Sequence, residues 1–256
     1  MNGEYLLDPI PLALVLVLLI LGAASSYVVG YRFGQWWMRR NPDNQEDHAG
    51  QVVGSVLAMV AFLIAITAGM AGDRFETRTA LVVDEANAIS SLHRRASLVA
   101  DPLGSQLRST LRQYIDTRIS VTDTRVLLAN TTRSREILEQ LWTQLGAEAR
   151  TNPEAISGLI DALGEADSTE RRRVNAIVEE RVPEELLFVV LLGAALSLVM
   201  VGFGNGQLGK PNAISAAILM LLLGVVLTAI IDLDRSREGL LQVSQQPLIE
   251  VRDSMH

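Results

Sequence analysis

Val52-Val-Gly-Ser-Val-Leu-Ala-Met-Val-Ala-Phe-Leu-Ile-Ala-Ile-Thr-Ala-Gly-Met-Ala-Gly72 runs about 20 residues without an ionisable side chain, the length an α-helix needs to cross ~30 Å of hydrocarbon. It passes without Pro or a turn signal into Asp73-Arg-Phe-Glu-Thr-Arg-Thr-Ala-Leu-Val-Val-Asp-Glu85. There the apolar positions keep a helical period, with Leu81, Ala88, Ile89 and Leu92 on one side. A single helix is therefore expected to leave the membrane and carry on into a polar environment, where it becomes the first helix of a second domain.

Three further stretches share the length and apolar character of this one: Ile10 to Tyr31, Leu186 to Gly209 and Asn212 to Ile231. The fold expected is all-α, with four transmembrane helices and a helical-bundle domain inserted between spans two and three. The boundaries are 1–72 for spans one and two, 73–185 for the soluble helical domain, 186–231 for spans three and four, and 232–256 for a C-terminal tail. Span one contains a cleavage-like Ala23-Ala-Ser25, but no Lys or Arg precedes it and its apolar run is long, so it reads as a retained span.

Composition narrows the chemistry. The chain has 256 residues, 49% of them hydrophobic, and the apolar ones are gathered in blocks. With no Cys, disulfides, thiolate metal sites and cysteine nucleophiles are excluded. His48, His93 and His256 have no partner at metal-ligand spacing, so no metal or cofactor is expected. A net charge of -7 makes nucleic acid an unexpected partner. Arg outnumbers Lys 21 to one, Lys210 being the single lysine, which fits a GC-rich bacterial genome and a bacterial inner (plasma) membrane protein.

Orientation follows from short flanks, because Lys and Arg beside spans tend to remain cytoplasmic. Arg32, Arg39 and Arg40 follow span one, while only Glu4 and Asp8 precede it. This places the 73–185 domain outside or in the periplasm. Arg74, Arg78, Arg235 and Arg237 oppose that assignment.

Small residues recur along span two at Gly54, Ala58, Ala61, Ala65, Ala68 and Gly72, with spacings of 4, 3, 4, 3 and 4. In lipid there is little hydrophobic drive between helices, so small side chains that let backbones approach are how spans associate. The seam can serve packing within the subunit, a subunit interface or a pore-lining face. No ionisable group lies at membrane depth, which argues against a proton pump or a voltage sensor.

In the 73–185 domain five helices are expected. The first continues span two to about Leu98, where Asp101-Pro102 ends it; the second uses Leu103, Leu107, Leu111, Ile115 and Ile119. A third follows Ile137, Leu138, Leu141 and Leu145, and a fourth opens at Asn152-Pro153, with Asn as cap and Pro at the first helical position. The fifth starts near Ser168 and carries Val174, Ile177 and Val178.

Glu85 lies within about 60° of Leu81, Val82, Ile89 and Leu92 on the apolar face. A carboxylate is costly to bury unpaired. Arg74 and Arg78 share its line. If the first and fifth helices run antiparallel from the membrane boundary, Glu85 faces about Arg173 and Arg181 faces about Glu76. Span parity also gathers Asp73, Arg74, Glu76, Arg181, Glu184, Glu185, Asp232, Asp234 and Arg235 at one membrane boundary. That set reads as interfacial anchors and ion pairs, or as a charged vestibule over a conduit.

Gly204-Asn-Gly-Gln-Leu-Gly209-Lys-Pro211 fits the G-x-G-x-x-G string and most of a nucleotide loop, but it reads as the turn joining spans three and four and has Pro211 where magnesium binding needs a hydroxyl. No nucleophile, base or carboxylate arrangement points to hydrolysis, so an enzyme is not expected.

Two stretches carry a resemblance: Arg74-Phe-Glu-Thr-Arg-Thr-Ala-Leu-Val-Val-Asp-Glu-Ala-Asn-Ala-Ile89, and Leu233-Asp-Arg-Ser-Arg-Glu-Gly-Leu-Leu-Gln-Val-Ser-Gln-Gln-Pro-Leu248. With the four-span layout they resemble a bacterial membrane family of unknown function described as bestrophin-like, over nearly the whole chain. The resemblance implies kinship with bestrophins, pentameric anion channels that keep their termini and middle region in the cytosol, opposite to the orientation from charge. The function expected is a homo-oligomeric ion channel, for anions, whose partners are the bilayer, further copies of itself and small anions. The alternative is a non-conducting membrane protein whose soluble helical domain senses or binds a partner.

Overall fold

A computed structural model describes residues 10–41, 49–119, 124–178, 182–209, 212–235 and 240–255, and among them every regular element is helical. The helices are α1 (Leu12–Arg40), α2 (Ala49–Ala96), α3 (Leu103–Ile119), α4 (Thr124–Ala149), α5 (Pro153–Val178), α6 (Glu184–Leu208), α7 (Ala213–Asp234) and α8 (Gln246–Ser254). Four of them, α1, α2, α6 and α7, are long and apolar enough to cross a membrane. The chain forms two compact units: Met1–Asp73 with Val182–Arg235, and Arg74–Arg181 with Ser236–His256. As expected, α2 is continuous for 48 residues and belongs to both.

The first unit is built on close backbone approach. Gly30 and Gly34 of α1 lie against the carbonyls of Val199 and Phe203, and Gly202 and Gly206 of α6 lie against those of Tyr27 and Tyr31. A Cβ at any of the four would strike the opposing backbone, so two G-x-x-x-G pairs interlock reciprocally. The contacts advance together along both helices, which makes α1 and α6 parallel, as spans separated by one intervening span must be. Asn205 donates to the Tyr27 hydroxyl at 3.1 Å in the same seam. The hydroxyls of Thr67, Ser197 and Thr228 donate to carbonyls one turn back in their own helices at 2.7–2.8 Å, so they leave no unmet donor in hydrocarbon.

These contacts correct the reading of the Gly204–Pro211 stretch. Gly204 and Gly206 lie inside α6, and the turn begins only at Gly209, whose φ of 64° is the left-handed conformation that ends a helix. The residues that follow, Lys210 and Pro211, lie outside the described ones.

The second unit packs a leucine-rich core from Ile89 and Leu92 of α2, Leu107 and Leu111 of α3, Leu141 and Leu145 of α4, and Leu159 and Leu163 of α5. Asp101 accepts the Ser105 N–H at 3.0 Å and starts α3 where the Asp-Pro break was expected. Two expectations change. The fourth and fifth helices are one, α5, because nothing between Leu163 and Ser168 breaks a helix and Gly164 is tolerated inside it. The stretch read as a tail supplies α8, whose Leu248 is fully buried in this core together with Met255.

Candidate functional site

Continuity of α5 aligns Leu159, Leu163, Ala166, Glu170, Arg173 and Ile177 at spacings of 4, 3, 4, 3 and 4, all of them buried. An apolar seam thus runs into two charged residues without changing face. On α3 the series Leu107, Leu111, Tyr114, Ile115 and Arg118 does the same. Together with Glu85 of α2 they meet inside the second unit.

Glu85 is fully buried and takes a guanidinium on each carboxylate oxygen. Arg118 Nε donates to Oε1 at 2.6 Å and Arg173 Nη1 donates to Oε2. The Tyr114 hydroxyl stands 3.5 Å from Oε1. Burial pushes the Glu85 carboxyl up, but attraction to Arg118 and Arg173 and their hydrogen bonds outweigh it and hold the group below the ordinary carboxylate value. Burial, with Glu85 beside it, pushes the Tyr114 hydroxyl well up, so it stays a neutral donor.

A second buried carboxylate, Glu170, has the opposite balance. Its Oε1 lies 3.5 Å from Arg118 Nη1 and accepts from the Ser134 hydroxyl of α4 at 3.3 Å, while Oε2 has no hydrogen-bond partner among the described residues. Burial raises its pKa more than Arg118 and Arg135 lower it. Arg173 reaches further: its Nη2 donates to Gln245 Oε1 at 2.5 Å, which ties the residue before α8 to the network.

The Glu85–Arg173 pair stands where helical register put it. Arg118, Tyr114, Ser134 and Glu170 were not singled out from the sequence. The signal for Arg118 and Glu170 was present as charged residues on an apolar seam, but a helix boundary drawn at Ser168 hid the one on α5. Of the other boundary residues, Arg78 is buried and engaged, Glu76 is exposed, and Arg74 is half-buried, its Nη1 lacking a hydrogen-bond partner among the described residues. Asp73 is exposed; Asp232, Asp234 and Arg235 are buried at the end of α7, where Asp234 accepts the Val182 N–H at 2.8 Å. Arg181 lies outside the described residues, and so does its expected pairing with Glu76.

Among the described residues the first four positions of the small-residue seam of α2 are open, while Ala68 packs against the apolar core of the first unit. Gly54, Ala58, Ala61 and Ala65 are exposed, Ala68 and Gly72 half-buried, and a Cβ at Gly54 or Gly72 would meet nothing within 4 Å. The packed side consists of Val60, Ile64, Thr67 and Ala71, each one residue before a seam position and so turned from it by about 100°. The Bestrophin-like domain family matches residues 17–248. The chain belongs to that family. The match takes in all the seam residues and the whole Glu85 network, and with four apolar helices it makes this bestrophin-like chain a membrane protein. Comparison with curated proteins and with solved structures finds no match.

Proposed function

We propose that this chain is the subunit of a homo-oligomeric ion channel in a bacterial plasma membrane, with the seam of α2 turned to neighbouring subunits and to the conduit. The observation that carries the reading is the uncovered seam. Gly54, Ala58, Ala61 and Ala65 are exposed at heptad spacing, and small side chains on a span are what let another helix approach closely. Narrow uncharged constrictions and rings of charge are how pores gate and select. Asp73 at the end of the seam, and Asp232, Asp234 and Arg235 at the end of α7, supply charge where the apolar segments stop. Anions are the proposed cargo because of the kinship with bestrophins that family membership implies. The proposal assigns no catalysis to the chain and places the bundle between spans two and three outside the cytoplasm, which a C-terminal reporter active only in the cytoplasm would reverse.

The test is ion flux in proteoliposomes. Chloride flux above empty vesicles, lost in Ala61→Leu, supports the channel. Potassium flux alone keeps the channel and reverses its selectivity. Absence of both, with Ala61→Leu changing only assembly, leaves the reading of a non-conducting membrane protein whose helical domain binds a partner.

A further inference from the structure

On α2, within the second unit, Asn87, Ser90, Ser91, Arg94 and Arg95 line a groove of about 330 Å³, at the small end of the roughly 300–1,000 Å³ that ligand pockets occupy. Every lining side chain can donate a hydrogen bond and none is a carboxylate. Asn87, Arg94 and Arg95 are exposed and the two serines half-buried. Arg95 donates to the carbonyl of Gly158 on α5, which fixes one wall. Glu154 and Asp161 stand about one turn to either side of Gly158, yet among the described residues neither forms an ion pair with Arg94 or Arg95.

Ser26, Ser109, Ser157 and Ser254 return their hydroxyls to a carbonyl three or four residues back, whereas among the described residues Ser25, Ser168 and Ser215 do not. Ser90 and Ser91 make no such bond among the described residues, and Asn87 and Arg94 have no hydrogen-bonding partner there either. In a chain of net charge -7, two guanidinium groups, two hydroxyls and an amide share one helix face with no carboxylate among them, and of the five side chains only that of Arg95 is held by a hydrogen bond among the described residues, to the Gly158 carbonyl.

We propose that this groove binds an oxyanion, the phosphate or carboxylate group of a small water-soluble molecule. Planar guanidinium groups hold such groups through charge-assisted bonds, and Ser and Asn complete the coordination of the remaining oxygens. The assignment stands apart from the channel reading, because binding is measured without flux and either can fail alone.

The experiment is calorimetric titration of the full chain in detergent with inorganic phosphate and, separately, with succinate. Saturable binding in about the millimolar range is expected for one of the two, and the tighter one identifies the ligand class. Arg94→Gln should weaken it roughly tenfold or more without lowering the melting temperature, since Arg94 makes no contact the fold needs. The double variant Ser90→Ala with Ser91→Ala should weaken it about threefold. Arg150→Gln, which removes an exposed arginine elsewhere, should change it less than about twofold. The proposal is overturned if neither probe saturates by about 50 mM, if Arg94→Gln binds as wild type, or if Arg150→Gln weakens binding as much as Arg94→Gln does.

Discussion

The two units hold their helices together in opposite ways. In the first, α1 and α6 meet glycine to backbone, and the polar groups near the contact are hydroxyls and one amide. In the second, leucines and isoleucines fill the core and a cluster of four buried charges sits among them. The difference follows from the solvent each sequence was built for. Lipid tails are as apolar as leucine, so spans gain by bringing backbones close. Water rewards burial of large side chains, and a bundle buried from water can hold charges where they pair. The seam of α2 is the exception, having the composition of the first kind of contact while Gly54, Ala58, Ala61 and Ala65 stay exposed among the described residues.

The largest effect is expected where that comparison is sharpest. Gly202→Leu places a side chain into the Tyr27 carbonyl and should cost about 3 kcal/mol or more, or prevent folding, read from expression and from thermal unfolding in detergent. Glu85→Ala should come next, at roughly 3–5 kcal/mol, because Arg118 and Arg173 are left buried without their shared carboxylate. A wild-type melting curve for either variant breaks the contrast between the two units.

The pH dependence separates the two buried carboxylates. Glu85 is depressed below the ordinary value of 4.5, so its stabilisation is present above that value and lost as pH falls through the depressed folded value. Glu170 is raised, so its contribution is fully present below 4.5 and lost as pH rises through the raised folded value. Glu170→Gln should therefore leave stability unchanged or add about 1 kcal/mol at pH 7, and that advantage should vanish near pH 4, measured as melting temperature against pH. A variant that is destabilised by several degrees at pH 7 would mean that the Glu170 charge is needed by Arg118.

Smallest in stability, and most informative, is Ala61→Leu on the open seam. It should shift monomer stability by less than about 0.5 kcal/mol, since Ala61 touches solvent or lipid in the chain. Under the proposed assembly it should nevertheless convert the oligomer to smaller species by mass photometry. Stability loss comparable with Gly202→Leu would place Ala61 in an intrachain contact and remove the exception.

Helix content, the four apolar spans, the continuity of α2 and the burial of Glu85 were legible because each rests on local pattern: length without charge, a 3.6-residue period, and a charged residue on an apolar stripe. The pairing of Glu85 with Arg173 was legible only through an assumed antiparallel geometry. Arg118 and Glu170 carry the same stripe signal, yet which of several stripes converge depends on how helices are placed around a common core. Gly30, Gly34, Gly202 and Gly206 show the limit most clearly. Their G-x-x-x-G spacing can be read in the chain, as can the seam of Gly54 to Gly72, and spacing alone assigns both to helix contact. It states that a backbone can come close and does not say whose. Only the tertiary structure decides that α1 and α6 use their glycines on each other, while α2 buries the neighbouring stripe of Val60, Ile64 and Ala71 and leaves Gly54, Ala58, Ala61 and Ala65 open, because a helix one residue out of register presents a face turned by about 100°.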